Sequence, residues 1–520
     1  MKRKKLICGI LSAVLALPCM LSGCKSGKEA KTSADGDSKL SYWCILNPAL
    51  SQTMSNFGET PLAKELNKRL GVEVTYIHPP LGQETEKFNL LVASNEMPDI
   101  IWWKWGDNYT GGPSKAIREK RIISLNEYKE HAPNFIKYLS GHREAEKLSK
   151  TDDGDYFGFT FIKDNEISLI TDGPLLRKDW LDELKLDVPE TIDDWENVLR
   201  AFKEKKGASA PVSTDTYGLA MFSNGFNTTS PLNGYYQEDG VVKTGFYEDG
   251  FKKYVTRLNK WYEEGLLDRD FATLDMTTIN SNILSGVSGA TYNSIGSGIG
   301  RYMAAAEEPG YSLVGAPYPV EKSGDERKFT TISAIVPGGY AAAITTSCKN
   351  IPLAMKFLDY GYSDEGHMLM NFGVEGKSYE LKDGYPTYTK LVTNNDKGLA
   401  FAEVLGRYTL ASSSGPIVQD HRYMEQYAQL PEQKEALKNW SDRTALKYVY
   451  PPISPKSEDL GEYSRLRTDI DSYAKEMFSK FVVGVEPIKN YDKFVSELKA
   501  KGMDRLLEIM QEALNAYNAR

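Results

Sequence analysis

The hydrophobic residues at the start of the chain form one continuous run behind a cluster of cations. Residues 6–21 are apolar apart from small or weakly polar residues and Pro18, and four cations, Lys2 to Lys5, precede them. A membrane-spanning helix needs roughly 20 such residues, so the run is too short to span. A basic segment before a short apolar run is typical of a secretory signal peptide.

From residue 40 the apolar positions recur with the periods of strands and helices. Thr60 and Pro61 have the residue types of an N-cap and a first helical position, and Gly71 is a typical helix end. The pattern predicts alternating strands and helices, beginning with a strand, at Leu40–Leu46, Pro61–Leu70, Val72–Ile77, Phe88–Ser94 and Asp99–Trp103. This order indicates an α/β domain with a largely parallel sheet.

Longer helices dominate the rest of the chain. Thr191 provides a capping side chain, acids follow it in the first turn, and lysines occupy the last turn. Helices are predicted at Thr191–Lys205, Phe251–Gly265, Ile351–Tyr360 and Asp471–Arg520, the last with a break at Gly484–Pro487.

Length and charge exclude several classes of protein. The chain has 520 residues and a formal net charge of −8, so we expect more than one domain and no nucleic-acid partner. No later segment is apolar for long enough to cross a membrane. Of the five cysteines, only Cys44 and Cys348 lie in the folded body, where buried free thiols are favoured over a disulfide.

The apolar run ends in a motif that predicts lipidation. Leu21-Ser22-Gly23-Cys24 matches the lipobox, in which signal peptidase cleaves before a diacylglyceryl-modified cysteine. We therefore predict a signal peptide at 1–23, an acylated Cys24 and a flexible tether at 24–39, which has no large apolar side chain before Leu40. The mature protein is then expected on the outer face of the cell membrane.

Three segments resemble catalytic or nucleotide-binding motifs, but each lacks a required residue. Gly373–Ser378 resembles a phosphate loop, but its first glycine is missing. Gly296–Arg301 lacks the third glycine of a dinucleotide fingerprint, and Ala290 replaces the last glycine of a nucleophile elbow. The five histidines include no pair with metal-ligand spacing. We expect no enzyme, metal or cofactor, although carboxylate pairs for glycoside hydrolysis are recognised by geometry rather than sequence.

Five segments together resemble extracellular solute-binding proteins of family one, in particular the oligosaccharide-binding lipoproteins of ABC importers, including alginate- and pectin-fragment-binding types. The segments span most of the mature chain and occur in the family's order: Ala93–Ile101, Pro174–Leu181 with Val188–Trp195, Trp261–Leu267, Asn371–Gly376, and Phe481–Tyr517.

The resemblance implies a two-lobe α/β fold of the periplasmic-binding-protein (flytrap) kind, type II-like, with discontinuous lobes. It places the N-terminal lobe at 40–167 and 332–390 and the C-terminal lobe at 168–331 and 391–520. The implied function is that of a monomeric binding protein that captures an extracellular oligosaccharide and delivers it to the permease subunits of an ABC importer. A binder of peptide or another small solute, and a surface carbohydrate-active enzyme, remain alternatives.

Aromatic and planar polar side chains are the candidates for sugar binding. The leading candidates are the aromatic residues at the end of the third predicted strand, because open α/β sheets bind ligands at the carboxyl ends of their strands. Alternation would put Trp103 and Trp105 on one face and Trp102 on the other. The full set of candidates is Trp102, Trp103, Trp105, Tyr109, Arg177, Tyr235, Tyr292, Asn293 and Glu375. Tyr235 and Tyr292 are expected in loops, and a structural role is the alternative for each candidate.

One departure from the resemblance concerns calcium. Long alginate-type relatives often carry a calcium loop after the helix that begins near Thr191. In this chain Lys203–Pro211 stands there and offers lysines where oxygen ligands belong. We therefore predict no calcium at this loop.

Overall fold

The predicted alternation of strand and helix at the start of the body is present in the structure, a computed structural model. It describes residues 38–520 except 52, 95, 233, 454 and 457. The predicted signal peptide, the lipidated Cys24 and nearly all of the tether lie outside the described residues.

The strands of the described region, in chain order, are β1 Lys39–Trp43, β2 Glu73–Ile77, β3 Ile100–Lys104, β4 Phe159–Thr160, β5 Ile162–Lys163, β6 Asp172–Arg177, β7 Tyr235–Glu238, β8 Val241–Thr244, β9 Ala290–Ser294, β10 Leu313–Gly315, β11 Tyr340–Ile344, β12 Tyr379–Lys382, β13 Tyr385–Tyr388 and β14 Val418–Gln419.

The helices are α1 Pro61–Leu70, α2 Glu84–Ala93, α3 Trp105–Asn108, α4 Gly112–Arg118, α5 Pro133–Ser140, α6 Arg143–Leu148, α7 Lys178–Leu184, α8 Ile192–Lys206, α9 Asp249–Glu263, α10 Met276–Leu284, α11 Arg301–Ala305, α12 Ile351–Asp359, α13 Asp364–Phe372, α14 Lys390–Thr393, α15 Phe401–Tyr408, α16 His421–Tyr427, α17 Pro431–Trp440, α18 Leu460–Val482, α19 Tyr491–Ala500 and α20 Met503–Ala519. In this described part of the chain, none of them is long and apolar enough to cross a membrane.

Two sheets organise the body. The larger sheet has the order β2-β1-β3-β11-β4, in which β1 pairs in parallel with β2 and β3. Strand β11 returns from far along the chain and pairs antiparallel with β3 and β4. The smaller sheet, β10-β6-β9, is antiparallel throughout. The predicted parallel pairing is thus confirmed for the first three strands.

Helix α1 forms where its end signals predict it. The Thr60 hydroxyl accepts a hydrogen bond from the Ala63 amide at 3.1 Å, and Pro61 takes the first helical position. Gly71 ends the helix with a φ of 64°, a left-handed conformation that glycine adopts without a Cβ penalty. Leu62 and Leu66 are buried against the larger sheet.

Three chain segments run side by side between the two sheets. The first joins β4 to β6, and the amide of its Lys163 donates to Ile335 at 2.9 Å in the second segment, which joins β10 to β11. The Ser333 amide donates in turn to Leu169 at 2.9 Å. The third segment contains β14, which pairs in parallel with β5.

Residues between β13 and β14 contact the connection from β1 to α1. The Asn47 side chain donates to the Ser413 hydroxyl at 2.5 Å, and Thr53 hydrogen-bonds to Glu403 in α15. After β14 the contacts change, because α17 packs along β10 of the smaller sheet. These contacts place α15 and Ser413 beside the chain that follows β1, and α17 beside the smaller sheet.

Candidate functional site

A cavity of about 450 Å³, called cavity A, opens at the carboxyl edge of the larger sheet. Cys44, Ile45 and Asn47 line it and directly follow β1, while Leu81 and Glu84 belong to the connection after β2. Carboxyl ends of parallel strands are the usual ligand edge of an open α/β sheet.

The interior of cavity A is largely apolar and aromatic. The Ser412–Pro416 turn forms one wall, and the side chains around the remainder are Tyr42, Phe57, Leu66, Tyr76, Trp102, Phe357, Leu358, Met370 and Leu410. The Ser412 hydroxyl is buried and has no hydrogen-bond partner in the protein. Flat rings with an unpaired hydroxyl donor suit a ligand that has both apolar faces and hydroxyl groups.

A second cavity of about 200 Å³, called cavity B, lies beside the β7–β8 ribbon. Tyr217, Phe329 and Tyr448 give it aromatic walls, and Tyr217 is 48% exposed. The hydroxyls of Thr229 and Thr330 line it, are buried and have no protein partner. Like cavity A, cavity B therefore combines aromatic walls with unpaired hydroxyls, and residues 328–332 of the second crossing segment line it.

The tryptophans of the third strand separate as alternation predicts. Trp102 lines cavity A, and its ring stacks on Tyr340 with a centroid distance of 5.7 Å. Trp103 points to the opposite face and meets Trp43 edge-on at 5.6 Å. Trp105 is on the same face as Trp103, although the strand ends at Lys104 and Trp105 begins α3.

Trp105 and Tyr109 serve the core in this structure. The Trp105 indole has no exposed surface, packs edge-on against Phe88 at 5.2 Å and donates to the Ile101 carbonyl at 3.3 Å. The Tyr109 hydroxyl donates to Glu119 at 2.6 Å. The Trp105 ring is fully enclosed in this structure, and a ligand contact by Trp105 stays a prediction.

Arg177 is likewise enclosed. Its guanidinium donates twice to Asp179, at 2.9 and 2.6 Å, and once to Glu308 at 2.5 Å. The same group lies between the rings of Trp180 and Tyr311, 4.6 and 4.2 Å from their centroids. None of the surface of Arg177 is exposed in this structure, and its contacts stabilise the smaller sheet. A ligand contact by Arg177 stays a prediction.

The candidates expected in loops lie in strands instead. Tyr235 begins β7, lines cavity B and donates to Asp471 at 2.7 Å. Tyr292 lies in β9, where its ring meets that of Tyr217 at 5.7 Å.

Asn293 binds its own neighbours, since its amide donates to the Tyr302 hydroxyl at 2.8 Å and its oxygen accepts from Ser297 at 2.9 Å. Glu375 is exposed in the turn before β12.

Sequence reasoning missed most of the residues that line the two cavities. Tyr217, Phe329 and Tyr448 are far apart in the chain, and only the fold brings them to cavity B. For cavity A, the Ser412–Pro416 run is a recognisable turn sequence, but its proximity to β1 depends on long-range packing. Of the predicted candidates, Trp102 lines cavity A and Tyr235 lines cavity B. The signal that led to Trp102 was its position at the end of a predicted strand.

Charged groups concentrate between the crossing segments. The Lys163 ammonium donates to the Ser168 carbonyl at 2.7 Å, and burial lowers the pKa of Lys163 to about 8. Burial also raises the pKa of Asp172 above its ordinary value. The His421 ring lies 3.0 Å from the Asp164 carboxylate and links the first segment to the third.

Asp164, Asp420 and His421 are the one group of potential metal ligands in the described residues, with ligand atoms within 4.8 Å of one another. Arg422 already binds the Asp420 carboxylate, and His367 approaches it at 2.9 Å. Burial acts to raise the pKa of Asp420, but the hydrogen bonds from His367 and Arg422 outweigh it and hold that pKa well below its ordinary value. The Arg422 guanidinium and the His367 ring thus occupy the side of the Asp420 carboxylate that a metal ion would need.

The two remaining cysteines are free thiols in the structure. Cys44 is half-buried and Cys348 is buried. Burial raises the pKa of each thiol to about 12, so both stay protonated at neutral pH. Neither thiol has the character of a reactive nucleophile.

With the two sheets, three crossing segments and two cavities established, the class of protein follows. Residues 58–368 match the model of the bacterial extracellular solute-binding protein family, and the chain belongs to this family. Its fold is the two-lobe α/β fold of these binding proteins.

Two relatives and two solved structures illustrate the similarity. The chain is 28% identical to Lipoprotein LipO of Bacillus subtilis over 95% of this chain and 96% of that protein. It is 23% identical to the polygalacturonan/rhamnogalacturonan-binding protein YtcQ of the same organism, over 73% and 75% of the two chains.

Among structures, alginate-binding protein AlgQ2 without calcium ion has a TM-score of 0.76 at 24% identity, covering 93% of this chain and 99% of that one. The Streptococcus pneumoniae ABC-transporter substrate-binding protein FusA in complex with kestose has a TM-score of 0.75 at 20% identity, covering 92% and 99%. At this identity the likeness establishes the fold.

Proposed function

We propose that this chain is the substrate-binding lipoprotein of an ABC importer, which captures an oligosaccharide outside the cell and delivers it to a membrane permease. The observation that carries this proposal is cavity A, with its aromatic walls and unpaired Ser412 hydroxyl at the carboxyl edge of the parallel strands. The names of YtcQ, AlgQ2 and FusA support an oligosaccharide ligand. The protein acts by binding alone, as a monomer.

The ligand class is tested by thermal shift with panels of oligosaccharides and of peptides at equal concentration. A ligand at 100 times its dissociation constant adds about 2.7 kcal/mol to the stability of the folded state. We expect a rise in Tm with at least one oligosaccharide and none with the peptides. Mass analysis of the recovered sugar separates binding from catalysis, because a binder returns it unchanged. A shift with peptides alone would contradict the proposal.

We propose lobe boundaries at the three crossing segments. The first lobe then takes residues 40–167 and 332 to about 420, and the second takes 168–331 and the remainder. This keeps the first two predicted crossings and moves the third from 390, in accord with the contacts of Asn47 with Ser413 and of Thr53 with Glu403. Rotation about these segments would close the lobes on the ligand.

We propose that Cys24 carries the lipid anchor. The lipobox supports this, as does the name of the relative LipO. Replacement Cys24→Ala should release the protein from the membrane into the medium or periplasm, because two acyl chains are needed for stable anchoring. Retention of a processed Cys24→Ala protein in washed membranes would disprove the anchor.

A further inference from the structure

Charged side chains are scarce around both cavities. Among the described residues, Glu84 is the one charged residue that lines cavity A, and Lys328 is the one that lines cavity B. In the same part of the chain no arginine lines either cavity, although arginine is the side chain best suited to bind a carboxylate in a forked, two-bond geometry.

The single cation already has partners. The Lys328 ammonium lies 3.5 Å from a Glu238 carboxylate oxygen and 4.9 Å from the centroid of the Tyr448 ring. Near cavity A, the ammonium of Lys104 lies 5.2 Å from the ring of Tyr340, on which Trp102 stacks, but Lys104 does not line the cavity. An acidic ligand would therefore have to give up water around each carboxylate without gaining a paired cation, which is costly.

The buried polar groups of the two cavity linings that have no hydrogen-bond partner are hydroxyls. Ser412 in cavity A and Thr229 and Thr330 in cavity B are buried without a hydrogen-bond partner in the protein. A neutral hydroxyl can both donate to and accept from a sugar hydroxyl, and leaving it unpaired costs stability. Their chemistry fits a ligand that offers uncharged hydroxyl groups.

We infer that the ligand is a neutral oligosaccharide, without carboxylate or phosphate groups. The inference rests on the proposed function and narrows it. YtcQ and AlgQ2 are named for binding acidic polysaccharides, whereas FusA was solved with a neutral oligosaccharide. The names of these proteins therefore do not decide between an acidic and a neutral ligand. The lining of the two cavities favours the neutral class.

The test compares neutral oligosaccharides with counterparts of the same skeleton oxidised to uronic acids at C6, by calorimetry at low and high salt. We expect a neutral compound to bind with a dissociation constant that barely changes with salt, because no ion pair forms. Its oxidised counterpart should bind at least about tenfold more weakly, since its carboxylates lose water without gaining a cation. Tighter binding of the acidic form, weakened by salt, would overturn the inference and leave the proposed function intact. If neither the neutral nor the oxidised oligosaccharides bind, the proposed function is overturned together with the inference.

Two variants sharpen the result. Replacement Lys104→Gln should leave the affinity for the neutral and the oxidised probe unchanged, whereas a loss of about tenfold or more for the oxidised probe alone would mean that Lys104 pairs with its carboxylate. Replacement Glu84→Lys adds a cation to cavity A and should improve binding of the acidic probe. If Glu84→Lys fails to do so while the neutral ligand still binds, the ligand does not occupy cavity A.

Discussion

Trp102 and Trp105 lie three positions apart and have different surroundings. Trp102 lines cavity A and stacks on Tyr340, while Trp105 is enclosed against Phe88. A ring that lines a cavity can contact a ligand, whereas an enclosed ring contributes only to the core. The two residues therefore form a matched pair for separating binding from stability.

Replacement Trp102→Ala should weaken oligosaccharide binding by about three- to twelvefold, because an aromatic stack contributes about 0.5–1.5 kcal/mol beyond its buried area. Replacement Trp105→Ala should lower stability by about 3–5 kcal/mol and leave the affinity of the folded fraction unchanged. Calorimetric titration and denaturant unfolding of both variants measure the two effects. Equal affinity of Trp102→Ala and wild type would remove Trp102 from the site.

The sequence could predict that the tryptophans point to opposite faces but not which face carries the cavity. Alternation follows from the strand period alone. Which face is open depends on α1, α12 and the Ser412–Pro416 turn, which pack there from distant parts of the chain. For the same reason, the sequence could not predict that Arg177 binds Asp179 and that Asn293 binds Tyr302.

At the scale of elements, the sequence predicted helix ends that carry local capping signals, but it did not predict where the C-terminal helices begin and break. The capping box between Thr191 and Asp194 forms, and α8 ends at Gly207 with a φ of 72°. The last helical block begins at Leu460 rather than Asp471 and has a second break near Gly502. End signals are local, whereas the length of α18 is set by its packing against α9 and α20.

Glu196 joins α8 to α9. Its carboxylate accepts hydrogen bonds from Lys260 at 2.7 Å, Arg200 at 2.9 Å and Trp261 at 3.0 Å. Burial alone would raise the pKa of Glu196, but the hydrogen bonds from Lys260, Trp261 and Arg200, together with the charge of Arg257, outweigh it and lower that pKa to about 2. The ionised carboxylate therefore stabilises the folded state.

Replacement Glu196→Gln should lower the free energy of unfolding by about 2–3 kcal/mol at pH 7. The folded pKa lies below the unfolded value of about 4.3, so the contribution is present above that pH and is lost as the pH falls toward 2. Urea unfolding from pH 7 to pH 3 should show the difference between wild type and variant shrinking. The exposed Glu204 of the same helix provides the control, Glu204→Gln, with little change at any pH. A difference independent of pH would disprove the ionic role of Glu196.

Chelation should leave the protein's stability unchanged. After α8, where related proteins can hold calcium, the Lys203 ammonium binds the Glu264 carbonyl and the Lys206 ammonium binds Glu183 at 2.6 Å. Calcium needs six to eight oxygen ligands, which ammonium groups cannot supply. Melting curves with and without EDTA should coincide. A fall of several degrees that calcium reverses would reveal a site elsewhere in the chain.

At the scale of the whole molecule, contacts outside the crossing segments also join the proposed lobes. Helix α20 packs against β8, while α6 lies beside β4, where the Ser149 hydroxyl meets that of Thr160 at 2.7 Å. We call the contacts between these two regions the C-terminal clamp. Its side chains, from both regions, are Arg143, Glu144, Lys147, Asp152, Tyr517 and Arg520.

None of the clamp side chains named above lines cavity A or cavity B, so the clamp offers a way to change lobe closure without removing a cavity-lining residue. Arg143 donates to the Arg520 carbonyl at 2.7 Å, Lys147 donates to the Tyr517 carbonyl at 3.1 Å, and Arg520 pairs with Asp152. If these contacts form fully only when the lobes are closed, removing one lowers the closed fraction and the apparent affinity with it.

We expect Arg520→Ala to weaken oligosaccharide binding by about two- to fivefold, because ion pairs near the surface contribute about 0.2–1 kcal/mol. Small-angle scattering should show a larger radius of gyration for the variant at a ligand concentration that half saturates wild type. Arg505→Ala is the matched control, since Arg505 pairs with Asp459 and Glu462 and its helix is the same α20. The control should bind as wild type does, because its ion pairs stay within one proposed lobe and do not change on closure. Wild-type affinity in Arg520→Ala would mean that the clamp contacts persist in the open and closed forms alike, and that the crossing segments alone govern closure.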